Sequence, residues 1–150
     1  MIEYRGYRVA DLAAMYALDV VCFQPPFRFT RAAMRTFAED RRARVVIAEA
    51  DGELAGFCIV HLERGGVGYV VTLDVAPEWR RKGMASVLME RAEAEAVQAG
   101  CSLMALHVFV GNEAAIRFYE RMGYEFLRNA KSFYGPGKDA AVYRKPLVRI

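Results

Sequence analysis

The chain is poor in the residues and runs that mark several classes of protein. Of its 150 residues only three are cysteine: Cys22, Cys58 and Cys101. They are far apart, odd in number and in no C-x-x-C pair, so neither a disulfide framework nor a metal site is indicated. A reducing, cytoplasmic setting fits that usage best. No run approaches the roughly 20 apolar residues that span a bilayer, and Met1-Ile2-Glu3-Tyr4-Arg5-Gly6 lacks the charged-then-apolar order of an export signal. No membrane partner is expected. Neither G-x-G-x-x-G nor G-x-x-x-x-G-K-[ST] occurs, which removes the common dinucleotide and P-loop signatures. The net charge is only +3, and basic residues gather only at Arg41-Arg42-Ala43-Arg44 and Arg80-Arg81-Lys82, so nucleic acid is not an expected partner.

What is present describes a folded protein. With 55% hydrophobic and 26% charged residues, the chain is neither disordered nor fibrous. Its length can bury roughly two-thirds of the unfolded surface. No repeat, low-complexity tract or linker divides it, so residues 1–150 read as a single domain. A strand over 2–9 precedes a helix that Asp11 would cap, carrying Leu12, Met15, Tyr16, Leu18 and Val21. Pro25-Pro26 ends that helix, and a second follows Thr30 to about Glu39. The period then changes to two. Runs at 44–50 and 53–62 flank Asp51-Gly52, a two-residue hairpin signal, and a third strand covers 67–75 after Gly65-Gly66. A helix from Gly83 to Gly100 would bury Met84, Leu88, Ala92, Ala96 and Ala99. A strand at 103–110, a helix capped by Asn112 and ended by Gly123, and strands at 124–130 and 140–147 complete the order. That order implies an α/β fold with a mixed sheet, antiparallel and parallel, and with a right-handed crossover around 67–110.

The most informative string lies at the end of the third meander strand. Val75-Ala76-Pro77-Glu78-Trp79-Arg80-Arg81-Lys82-Gly83-Met84-Ala85-Ser86 reads as a strand end, a basic glycine-containing turn and a helix start. Unpaired N–H groups at a helix N-terminus carry partial positive charge, which suits a diphosphate. A solvated surface loop is the competing reading. A second string, Asn112-Glu113-Ala114-Ala115-Ile116-Arg117-Phe118-Tyr119-Glu120-Arg121-Met122-Gly123-Tyr124, lies downstream.

Together the two strings resemble motifs of the GCN5-related N-acetyltransferases (GNAT). The first resembles that family's Arg/Gln-x-x-Gly-x-Gly/Ala loop, through Arg80, Gly83 and Ala85. The second resembles its N-x-x-A-x-x-x-Y-x-x-x-G-F helix, through Asn112, Ala115, Tyr119, Gly123 and Tyr124. The resemblance covers essentially the whole chain and implies acetyl-CoA as co-substrate. It implies that Leu73, Asp74 and Val75 pair through their backbone with the pantetheine arm. Arg80, Arg81, Lys82, Gly83, Met84, Ala85 and Ser86 would bind the pyrophosphate, with Asn112, Ala115 and Phe118 completing the cofactor site. Tyr119 would protonate the departing sulfur, and the N–H of Val75 would face the thioester carbonyl oxygen.

Within that family the chain looks most like the protein N-terminal acetyltransferases, including the ribosomal-protein-alanine (RimI) type. Cys22-Phe23-Gln24-Pro25-Pro26-Phe27 resembles their peptide-holding loop, and Lys131-Ser132-Phe133-Tyr134-Gly135-Pro136-Gly137-Lys138-Asp139-Ala140 their late aromatic hairpin. Phe23, Pro25, Pro26, Phe27 and Tyr134 would then bind an acceptor peptide. The chain departs from the bacterial pattern at His107, where RimI-type enzymes usually carry a Glu. Methionine-directed eukaryotic enzymes have a His there, paired through water with a Tyr matched by Tyr69. Tyr69 and His107 are the expected base relay. His61 reads as structural. The expected partners are acetyl-CoA and a peptide or protein N-terminus, a ribosomal protein included, in a monomer or homodimer. Small-amine acetylation and a non-catalytic acyl-CoA-binding module are the alternatives. A packing role for Phe23 and Phe27, and a strand-histidine role for His107, also stay open.

Overall fold

Residues 1–148 are described by a computed structural model in which seven strands form one sheet. In chain order they are β1 (Ile2–Arg5), β2 (Ala43–Ala50), β3 (Glu53–Glu63), β4 (Val67–Val75), β5 (Leu103–Phe109), β6 (Glu125–Ala130) and β7 (Ala140–Pro146). Helices α1 (Leu12–Cys22) and α2 (Arg31–Glu39) precede β2; α3 (Met84–Gln98) joins β4 to β5, and α4 (Glu113–Arg121) follows β5. The order across the sheet is β1-β2-β3-β4-β5-β7-β6, and only β4 and β5 run parallel. The mixed α/β architecture expected from the sequence is the one observed.

Local chemistry explains most boundaries. Asp51 and Gly52, at φ 53° and 82°, make the tight link between β2 and β3. Thr30 accepts the Ala33 N–H at 3.1 Å to start α2, and Asn112 accepts the Ala115 N–H at 3.2 Å to start α4. Asp11 behaves otherwise. Its carboxylate takes the Arg8 N–H at 2.7 Å and the Arg5 guanidinium at 2.8 and 2.9 Å, so it ties the end of β1 to a single 3₁₀ turn over Val9–Asp11 instead of capping α1. That turn is also why β1 stops at Arg5 and not at 9.

Both faces of the sheet are covered. On one, Met84, Leu88, Met89, Ala92 and Ala96 of α3 pack against Cys58 and Val60; on the other, Leu12, Met15, Leu18 and Met34 cover Ile47, Phe57 and Ile59. The middle of β3 therefore lacks an exposed face, and its apolar run does not alternate with polar residues. Two helix positions differ from the periodicity reading. Val21 is 62% exposed while Asp19 is fully buried, and Ala99 lies exposed beyond the end of α3. Gly56 allows α3 its close approach: a Cβ there would stand 2.9 Å from the Asp74 carbonyl oxygen and 3.1 Å from both Leu88 Cδ1 and Met84 Sδ.

Candidate active site

The sheet opens where its two parallel strands part. β4 and β5 pair only from Val67 with Leu103 to Val70 with Leu106. At the next residue β4 bulges, since Val60 faces Val70 but Ile59 faces Thr72, leaving Val71 as the extra residue. A bulge bends its strand and adds twist. Beyond it β4 follows β3 to Val75, β5 follows β7 to Phe109, and a wedge separates them. The Ala76 N–H donates to the Ala55 carbonyl at 2.8 Å, toward β3. By alternation, the N–H and C=O groups of Leu73 and Val75 face away from β3 and into the wedge. The resulting cleft measures about 1320 Å³, above the roughly 300–1,000 Å³ usual for one small ligand, so it has room for two.

One side of the cleft suits a phosphorylated ligand. Arg81 at φ 60° and Gly83 at φ 85° wrap the turn, and the first N–H groups of α3 have no helical partner. Arg81, Gly83, Ala85 and Ser86 line the cleft. Arg80 lines it too, but its Nε donates to the Val75 carbonyl at 3.1 Å and its Nη2 lies 3.5 Å from Cys22 Sγ, so the side chain braces the strand end. Lys82 stands over the Trp79 ring at 5.3 Å, Met84 is buried in the core, and the Asp74 carboxyl is buried on the α1 side of β4. Those three side chains stay out of the cleft, although the backbone around them borders it. From α4, Asn112, Ala115, Phe118 and Tyr119 line the same side. Burial holds the Tyr119 hydroxyl well above the usual phenol range, so it is protonated at neutral pH.

The opposite side carries a basic group and aromatic walls. Tyr69 Oη lies 2.8 Å from His107 Nδ1, a direct contact with no intervening water. Burial, and then the nearby Arg128 cation, lower the pKa of His107, which keeps the imidazole neutral. Burial chiefly pushes Tyr69 up to about 12. Phe133 stacks on the imidazole at 3.9 Å and 7° between planes. Phe27, from the 23–30 loop, stands 4.8 Å from Phe109 and 5.1 Å from Tyr134, so that loop and the 131–139 connection meet across the cleft mouth. Phe23 and Pro26 line the cleft, and Pro25 does not. His61 is buried and donates from Nε2 to the Phe37 carbonyl at 2.8 Å. Phe109 and Phe133 were not anticipated as site residues. The signal for Phe109 was alternation, since it follows His107 by two along β5; Phe133 stood beside Tyr134 in the aromatic string already singled out.

A strand wedge, a glycine turn opening a helix, a protonated Tyr119 and a neutral His107 line one cleft, an arrangement that could hold a phosphorylated thioester beside an amine. The chain matches the acetyltransferase (GNAT) family over residues 12–124 and belongs to it. Members of that family transfer an acetyl group from acetyl-CoA to an amine. It is 33% identical over 100 residues to an uncharacterized N-acetyltransferase of Methanocaldococcus jannaschii, covering 66% of this chain and 64% of that one. The chain thus spans a little under two-thirds of that relative's length. It is 28% identical over 123 residues to an N-alpha-acetyltransferase of Sulfurisphaera tokodaii, covering 73% of this chain and 72% of the relative. The ribosomal-protein-S18-alanine N-acetyltransferase from Escherichia coli superposes with a TM-score of 0.88 at 21% identity, over 100% of this chain and 96% of that one, a likeness of fold.

Proposed function

We propose that this chain acetylates the α-amino group of a peptide or protein N-terminus by direct transfer from acetyl-CoA. The observation that carries the reading is the Tyr69–His107 hydrogen bond at the point where β4 and β5 separate, beneath aromatic walls from two loops. Similarity to an N-alpha-acetyltransferase supports the choice of acceptor.

Acetyl-CoA supplies an acetyl thioester; the residues around it manage protons and charge. As the amine nitrogen forms its bond to the carbonyl carbon, Tyr69 Oη accepts a proton from the amine while its own passes to His107 Nδ1. Tyr69 ends neutral and His107 cationic. The N–H of Val75, directed into the wedge, donates to the carbonyl oxygen as it gains charge. Tyr119 gives its hydroxyl proton to the sulfur as the carbon–sulfur bond breaks. A deprotonated amine is needed throughout, and an α-amine with a reference pKa of about 7.7–8.0 is far closer to that state at neutral pH than lysine at about 10.4.

A second reading, acetylation of a small amine, has one observation in its favour: Phe27 and Tyr134 touch, narrowing the mouth through which a peptide would leave. The test is a panel of peptides with free α-amines, peptides with a blocked N-terminus and a free lysine, and polyamines, amino acids and aminoglycosides. Mass spectrometry then locates the acetyl group. Preference for free N-termini supports the proposal, and preference for small amines replaces it with the second reading.

A further inference from the structure

Two carboxyl groups that the transfer chemistry leaves unused are buried together beneath β4. Asp19, on α1, is 0% exposed, and Asp74, on β4, is 1% exposed. Each has one satisfied oxygen. Asp19 Oδ2 accepts the Phe29 backbone N–H at 2.8 Å, and Asp74 Oδ1 accepts the Thr72 hydroxyl at 2.6 Å. The other oxygen of each, Asp19 Oδ1 and Asp74 Oδ2, is buried with no protein donor, and the two carboxyls lie within hydrogen-bonding reach of one another. Two buried carboxylates in contact, both ionised, would combine repulsion with two unsatisfied acceptors. A single proton between the orphan oxygens removes both faults.

We infer that Asp19 and Asp74 share one proton at neutral pH, and that this acid–carboxylate hydrogen bond positions the 23–30 loop against the end of β4. The connection is short. Asp19 holds Phe29, at the base of the loop that carries Phe23 and Phe27, while Asp74 sits between Leu73 and Val75, whose backbone faces the cleft. One hydrogen bond thus ties the aromatic wall to the acetyl-CoA strand. The surroundings accept one negative charge and not two. Arg80 is the cation near the pair; Cys22 of α1, and Cys58 of β3 and Tyr119 of α4 from the other side of the sheet, also feel the charge of Asp74, and each has its pKa raised, chiefly by burial, so these groups stay neutral. Burial first, and Asp19 second, raise the proton affinity of Asp74 against the opposing pull of Thr72 and Arg80. A carboxyl with raised folded-state affinity stabilises the fold fully below its unfolded value of about 3.9. That contribution is lost as pH rises through the folded value.

The positioning half of the inference rests on the proposed transfer site; the shared proton does not. Infrared difference spectra at neutral pH between the wild type and Asp74→Asn should show the carbonyl band of a protonated carboxylic acid, present only in the wild type. Asp19→Asn should lose the band as well, because its amide donates to Asp74 and lets that group ionise. Absence of the band from the wild type overturns proton sharing. For positioning, Asp19→Ala should raise the acceptor KM about tenfold, as for loss of one hydrogen bond to a charged group, with acetyl-CoA affinity kept. Asp19→Asn, which preserves both hydrogen bonds, should bring KM back toward the wild-type value. Equal loss of acceptor and acetyl-CoA binding, or no change in KM, overturns positioning. Hydrogen exchange at the Phe29 amide, faster in Asp19→Ala and slow again in Asp19→Asn, reads the loop anchor without any acceptor. It therefore separates failure of this inference from failure of the proposed function, and unchanged exchange in Asp19→Ala overturns the anchor.

Discussion

Tyr69, on the rung of β4 just before its last pairing with β5, and His107, one residue past that pairing on β5, meet through a 2.8 Å hydrogen bond. The ladder ends at Val70 and Leu106, and this side-chain contact spans its end. Because burial and Arg128 lower the pKa of His107, its neutral form persists to a lower pH than the usual 6.5. Activity should therefore show an acid limb to which His107 contributes below that value. His107→Ala is expected to lower kcat/KM by about 10²-fold or more and to remove that contribution, leaving only the amine's own titration. The check is kcat/KM against pH for both enzymes; an unaltered acid limb in the variant excludes His107 as the proton acceptor.

Arg128 gives an independent handle on the same group. It is exposed on the edge strand β6, apart from the cleft lining, and acts on His107 through charge. Arg128→Glu replaces a cation that disfavours imidazolium with an anion that favours it, so the acid limb should move to higher pH. Burial is the larger cause and is untouched, so the movement is a part of the total shift and weakens with added salt. Two pH profiles at low and high ionic strength measure it.

How much of this was legible in the sequence depends on whether the cause was local. Asp51-Gly52, Thr30 and Asn112 act within a few residues, and the elements they bound were readable from turn and cap chemistry alone. The Tyr119 and Gly83 positions were readable because their strings resemble a family's motifs. The opening itself was not, since the bulge at Val71 arises from register across three strands and no residue type marks it. Asp19 lay outside the apolar stripe of Leu12, Met15, Tyr16, Leu18 and Val21, and only the strand it faces explains its burial. Arg80 shows the same limit: its string pointed to a phosphate, and nothing local marks that the fold turns its Nε onto the Val75 carbonyl.

Tyr119 has its proton held in place by burial, which suits a donor to sulfur. Tyr119→Phe keeps the ring and its edge contacts with Phe118 at 5.3 Å and Tyr124 at 5.8 Å, and removes only the hydroxyl. Expected is a fall in kcat of about 10²-fold with the dissociation constant for acetyl-CoA nearly kept. Single-turnover kinetics with titration calorimetry would separate the two quantities, and a fall in affinity with kcat intact would make Tyr119 a binding residue.

Gly83 lies at φ 85° immediately before α3. A side chain there would meet open space, so a substitution is penalised through the backbone alone. Gly83→Ala should cost about 1 kcal/mol or more, either as lowered thermal stability or as a turn that relaxes and binds acetyl-CoA more weakly. Thermal melts with and without acetyl-CoA distinguish these outcomes, since a relaxed turn reduces the stabilisation by ligand and a strained one does not.

The contact between Phe27 and Tyr134 decides between the two acceptor classes. Their rings are 5.1 Å apart in an edge-on arrangement, and Tyr134 also meets Phe133, whose ring stacks on His107. If the acceptor is a peptide, the two rings must separate or flank its backbone, and the first residues of the peptide replace the contact between them. Aromatic pairs of this kind contribute about 0.5–1.5 kcal/mol beyond burial, so opening costs little and peptide contacts can offset it. Tyr134→Ala should then raise KM for a peptide by about tenfold while leaving acetyl-CoA binding alone. A small amine would pass beneath the closed rings. For it the same variant should lower retention in the cleft slightly and let water in, reducing kcat more than it changes KM. Steady-state kinetics of Tyr134→Ala with one peptide and one small amine therefore give opposite patterns, and the pattern shown by the better substrate identifies the class of acceptor.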